Sequence, residues 1–273
     1  GDVMSLLLCR YEPVRHPYYI EILGIHIHSS QELCYVIYNH PLLVMEDFVD
    51  ESLLVFIREE LDMAYLADKL KVLMDGKSKS DDLLFLILSE CDYYTDQEQS
   101  RFRQTVAGLR KLHPAQYAKA RADDLFHKKQ YGKAAQRYER LLEYPGDKVV
   151  DDGFLAGIYH NLGASYAQMF QFDRAFKALD KSYNMNKDMG TLKQIYYLTV
   201  FEPALPVGER YHALFTRELI EEWERELETA RQSALVNEDV VRLRELFKKD
   251  PVKRAEGSAK MIQQWKQEYR VMI

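Results

Sequence analysis

Three cysteines in 273 residues, Cys9, Cys34 and Cys91, are too few and too far apart for a disulfide framework or a C-x-x-C zinc or redox pair. Reduced, mostly buried thiols are expected instead. Eight prolines and twelve glycines are few for this length, whereas Leu, Ala, Glu, Lys and Arg are dense, which favours helix. No apolar run approaches the ~20 residues that cross a bilayer, and no secretory signal is found. A cytoplasmic protein without a membrane partner is expected. An excess of positive charge is also missing. The net charge is −6, and residues 1–114 hold 19 acidic against 11 basic residues (net −8) while the remainder hold 24 against 26 (net +2). A nucleic-acid binder would normally show a basic surface, so nucleic acid is not expected as a partner.

Chemical motifs are lacking too. There is no G-x-x-x-x-G-K-[ST], no G-x-G-x-x-G after a strand, no H-E-x-x-H and no G-x-S-x-G. No cofactor and no enzymatic activity are expected. His26 and His28 share one strand face and could chelate a metal with His40, but three histidines at the surface or in the core is the simpler reading, and no metal is expected. The paired acids Asp123-Asp124 and Asp151-Asp152 are neighbours in sequence, so on a helix they diverge rather than converge on a substrate.

What is present is a helical pattern. Residues 159–186, YHNLGASYAQMFQFDRAFKALDKSYNMN, write two helices and a turn without interruption. Leu162, Gly163 and Tyr166 share one face, and Phe172, Ala175, Leu179 and Tyr183 follow on the next. The small residues Gly163 and Ala175 let the backbones approach while the larger ones fill the surrounding space. A second unit lies 41 residues upstream, where Tyr131, Ala134 and Tyr138 superimpose on Phe172, Ala175 and Leu179, and Ala122 and Leu125 replace Gly163 and Tyr166. The stretch YPGDKVVDDG (144–153) reads as a lengthened loop.

This pattern resembles the tetratricopeptide repeat, whose first helix carries L-G-x-x-Y and whose second carries a small Ala and a large apolar residue. Arg121 departs from it by standing at the usual leucine. The resemblance implies an all-α fold of stacked helical hairpins preceded by a bundle of short helices. The whole chain also faintly resembles uncharacterised bacterial repeat proteins, through the capped ELCY segment at 32–35.

Four regions are expected. Residues 1–28 form an extended lead-in with a short strand or hairpin edge at Ile20, Ile22, Ile25 and Ile27. Residues 29–114 form an acidic helical bundle, with a capping box at Ser29–Glu32, caps at Asp47 or Asp50, Ser80 and Thr95, one helix from about Leu53 to Leu61, and a helix buried on most sides at Leu83–Leu88. Residues 115–201 hold the repeats (115–148, 156–189 and a partial third unit, 190–201). Residues 202–273 form capping helices, including one at 214–235 with Trp223 and a run of glutamates, a short one at 239–249, and a last one at 259–272 with Trp265 and Tyr269.

In tetratricopeptide proteins the inner face of each first helix typically holds a peptide. The corresponding residues here include Lys119, Asp123, Phe126 and His127, then His160, Asn161, Ala164 and Gln168. Members that clamp a terminal carboxylate often place groups such as Lys119 and Asn161 there, but Asp123 replaces an Asn and would repel such a ligand. A segment with a basic residue facing Asp123 fits better. The expected function is a non-enzymatic module binding a protein or peptide. A bacterial peptide-sensing regulator and an enzyme of unrecognised type are the alternatives.

Overall fold

The computed structural model describes residues 14–233. Cys9 and the expected helices at 239–249 and 259–272, with Trp265 and Tyr269, lie outside the described residues. Within them the chain is all-α apart from one antiparallel hairpin, and it divides into two compact units, one ending at Gln130 and one beginning at Tyr131.

In the first unit the β-branched lead-in folds as strands β1 (Tyr18–Ile20) and β2 (Ile25–Ile27), with Tyr18 opposite Ile27. Gly24 turns the hairpin at φ +66, a backbone that side chains disfavour. Helix α1 (Ser30–Asn39) starts as expected, with the Ser29 hydroxyl accepting from the Glu32 N–H. Glu32 reaches one residue beyond a capping box, to the His28 N–H. Pro41 does more than end α1, since it occupies the first turn of α2 (Pro41–Val44). Asp50, rather than Asp47, caps α3 (Glu51–Val55), accepting from the Leu53 N–H at 2.8 Å. The apolar run that reads as one helix to Leu61 widens instead into a π-helical turn, Phe56–Glu60. That turn buries both Phe56 and Ile57, and Glu60 accepts from the backbone N–H groups of Arg15 and His16.

Helices α4 (Ala64–Asp75), α5 (Ser80–Cys91) and α6 (Asp96–Arg110) follow. The Thr95–Glu98 capping box forms as read. Ser80 does not cap α5. It is the first residue of that helix, and its hydroxyl donates to the Met45 carbonyl at 2.6 Å, so it is committed elsewhere. Arg110, at the end of α6, donates to the same carbonyl and to Asp81. One polar knot therefore ties α6, the start of α5 and the end of α2. Leu84, Ile87 and Leu88 of α5 are buried with Leu33, Ile37, Leu66 and Leu70, but Phe85 and Leu86 stay partly exposed, and Arg103 lies over the Phe85 ring. The aromatic core stacks Tyr38 on Tyr94 at 4.1 Å and on Phe102 at 5.8 Å. The thiols of Cys34 on α1 and Cys91 at the end of α5 are neighbours, and their interaction together with burial pushes the Cys34 thiol up. Helix α7 (Pro114–His127) completes this unit.

The second unit contains α8 (Tyr131–Leu141), α9 (Asp152–Gln168), α10 (Phe172–Asn186), α11 (Met189–Phe201), α12 (Glu209–Leu214) and α13 (Arg217–Ser233). Asp151 caps α9 by accepting from the Phe154 N–H at 2.8 Å. Helices α9 and α10 are antiparallel: Ser182 donates to the Ala156 carbonyl at one end, and Gly163 lies against Ala175 and Leu179 in the middle. The close approach expected from Gly163 and Ala175 is therefore present. The expected helix at 214–235 is present as α13 but begins at Arg217, and a separate short helix, α12, precedes it. Thr216 restarts the chain by accepting from the Leu219 N–H at 3.4 Å, while Phe215 packs its ring edge-on against Tyr196 and Trp223. Trp223 is buried, and α13 lies on α11 through Tyr197 O–H to the Trp223 carbonyl and Lys193 to Glu226.

Candidate interaction surfaces on two helices

The seven residues read from the sequence fall on two helices in different units. On α7, Lys119 donates to Asp123 at 2.6 Å, with both side chains a little under a third exposed. His127 Nδ1 lies 2.7 Å from the Asp123 carbonyl oxygen, and the Phe126 ring meets the His127 ring edge-on at 6.1 Å. These four residues form one patch because positions 119, 123 and 126–127 recur at helical spacing. Asp123 is an ion-pair member and not an isolated acid, so its charge is compensated by Lys119. This weakens the repulsion toward an acidic ligand expected of it.

On α9, Leu162, Gly163, Ser165 and Tyr166 are buried, while His160, Asn161 and Ala164 are half-buried and Gln168 is exposed. Successive steps of three and four residues put Asn161, Ala164 and Gln168 in a row, with His160 along its edge. The Asn161 carbonyl accepts from the Ser165 hydroxyl at 2.8 Å, an i to i−4 bond within the helix. His160 Nδ1 lies 2.8 Å from Thr191 Oγ1, and the Thr191 N–H and O–H both donate to Asp188 Oδ2, at 2.8 and 3.2 Å. Burial pulls the His160 pKa below its ordinary value, against the opposing charge of Asp188. Sequence reading missed Thr191 and Asp188. Their only local sign is a cap, Asp188 three residues before Thr191 at the start of α11.

The three histidines considered for a metal sit in separate surroundings, and the Nδ1 of His40 is buried without a hydrogen-bond partner. His26 lies against the Tyr19 ring at 4.8 Å, His28 pairs with Glu32, and His40 is buried enough to lower its pKa. Among the described residues no cluster of three or more His, Cys, Asp or Glu is placed to hold a metal ion, and no helix is long and apolar enough to cross a membrane.

Arg121, on α7, is buried, and its guanidinium pairs with Glu46 of the same unit. Its Nε and the neighbouring Tyr117 hydroxyl are buried without a hydrogen-bond partner. That accounts physically for the charged residue at a position where the repeat pattern has leucine: it reaches an acid beyond α2 instead of filling an apolar hole. Compared with protein families, curated proteins and solved structures, the chain finds no match.

Proposed function

We propose that this protein is a non-enzymatic interaction module, tetratricopeptide-like in its α9–α10 hairpin, which holds a protein or peptide segment along the polar row of α9. The observation that carries the reading is the division of α9 into two faces. Leu162, Gly163 and Tyr166 are used up in packing, whereas Asn161, Ala164 and Gln168 line the other side with a small residue between two amides. A small central residue lets a bound backbone come close, and flanking amides can both donate to it and accept from it. The α7 patch of Lys119, Asp123, Phe126 and His127 offers similar groups in the first unit. The thiols of Cys34 and Cys91 are unbridged, which suits a reducing compartment and supports a cytoplasmic location.

The test is the panning of an immobilised library of short peptides with the full chain, followed by titration of the selected peptides against Ala164→Trp. Ala164 is half-buried on the open side of α9, so the variant should keep its helical circular dichroism while the indole blocks the row. Loss of binding by at least tenfold is expected. A native-like variant that binds every selected peptide as before would remove α9 from the reading.

A further inference from the structure

The hydrogen bonds around His160 give the proposed binding face of α9 a chemical preference, and the assignment of that preference rests on α9 being a binding face. Thr191 Oγ1 carries one proton and faces both Asp188 Oδ2 and His160 Nδ1. An ionised carboxylate can only accept, so the hydroxyl proton goes to Asp188. The Thr191 oxygen must then accept from His160, which places the imidazole proton on Nδ1 and leaves the lone pair on Nε2. Thr191 is buried and its backbone N–H is held by the same carboxylate, so this acceptor is held rigidly. Among the described residues no hydrogen-bond partner meets Nε2. Asp188 is exposed and acts electrostatically on the ring.

We propose that His160 Nε2 accepts a hydrogen bond from a lysine or arginine side chain of the bound segment, with the Asp188 carboxylate supplying the opposing charge. A cationic donor satisfies both groups at once, whereas an acidic segment would meet a lone pair and a carboxylate. Of the charges nearby, Lys187 is turned over the Tyr183 ring at 5.0 Å and Lys181 over the Tyr159 ring at 5.2 Å. Acidification puts a proton on Nε2, converts the acceptor to a charged donor and repels the cation.

Three measurements on the full chain test this. Nitrogen-15 NMR of the histidine rings should show His160 protonated at Nδ1. Peptides selected from the library should share a lysine or arginine at one position, and its replacement by norleucine or citrulline should weaken binding about tenfold. His160→Phe should weaken the basic peptide about equally and leave the norleucine peptide unchanged. His160→Gln, which keeps an acceptor, should retain binding but lose the fall in affinity that the wild type shows as pH drops below about 6.5, the ordinary histidine value under which His160 takes its second proton. An Nε2-protonated ring, selected peptides without a basic preference, or unchanged affinity in His160→Phe would overturn the assignment and leave α9 as a binding face. Failure of the wild-type chain to select any peptide would overturn both.

Discussion

Glu139 and Asp180 stand at equivalent places in the 41-residue register that superimposes Tyr138 on Leu179, and each accepts from one tyrosine and one arginine. Glu139 Oε1 takes the Tyr166 hydroxyl and the Arg174 guanidinium, the latter at 3.0 Å. Asp180 Oδ1 takes the Tyr211 hydroxyl at 2.6 Å and the Arg210 guanidinium. In each case the arginine lies over the tyrosine ring, at 4.2 and 4.5 Å. A helix is thus fastened in each case to an element that follows it, α8 to α9 and α10 to α12. The buried tyrosine bodies and the shared acid do this together, and the ion pairs, with half-exposed arginines, add little by themselves.

Tyr166→Phe and Tyr211→Phe are therefore each expected to destabilise the fold by about 1.5–3 kcal/mol, the range for a lost hydrogen bond to a charged group. Arg174→Ala should cost less, below about 1 kcal/mol. Urea midpoints at constant slope measure both. A larger loss for Arg174→Ala would show that the cation over the ring, not the hydroxyl, is the fastening.

Alkaline pH should loosen the same contacts. Burial, chiefly, pushes Tyr94, Tyr166 and Tyr196 up to about 12, and the carboxylates beside Tyr166 and Tyr196 add to it. A raised folded pKa means that folding favours the neutral phenol. This stabilisation is fully present below the ordinary value near 10 and is lost as pH rises from about 10 to about 12. Tyrosinate absorbance should lag in the native protein over that window and catch up on unfolding. A single native transition near pH 10 for all 19 tyrosines would contradict the burial.

A side chain at Gly163 has no room. Its Cβ would lie 2.6 Å from Leu179 Cγ and 3.1 Å from the Ala175 carbonyl oxygen, and the backbone atom cannot yield without moving α10. Gly163→Ala should cost about 1–3 kcal/mol despite alanine's better helix propensity, and Gly163→Leu more. Ala122→Leu, on α7, is expected to cost less than Gly163→Leu. Thermal or denaturant midpoints in the reverse order would put the closest contact elsewhere.

The two halves of the Arg121–Glu46 pair should respond unequally. Glu46 is 45% exposed and can return to water, whereas Arg121 is 8% exposed and cannot. Glu46→Ala leaves a buried unpaired cation and should cost about 3 kcal/mol or more, while Arg121→Leu should fall within about 1 kcal/mol of the parent. Equal losses measured by denaturant unfolding would mean that the guanidinium stabilises the unit through packing more than it costs by burial.

Periodicity and caps made the helical class, the α9–α10 hairpin with its close contact at Gly163, and the starts of α1 and α6 legible in the sequence alone. These depend on residues within one or two turns of each other, where spacing dictates which side chains share a face. The row of Asn161, Ala164 and Gln168 on α9 was legible for the same reason. Other features were decided only by tertiary contacts. Ser80 reads as a cap but spends its hydroxyl on Met45, 35 residues away. The helix read from 214 starts only at Arg217, because Thr216 caps it while Phe215 joins the Tyr196 and Trp223 rings. Asp188 and Thr191 set the proton of His160, and Cys34 meets Cys91, through pairings that no local period encodes. A side chain with two competing hydrogen-bond partners goes to the one that burial brings within reach, and only the folded chain determines which one that is.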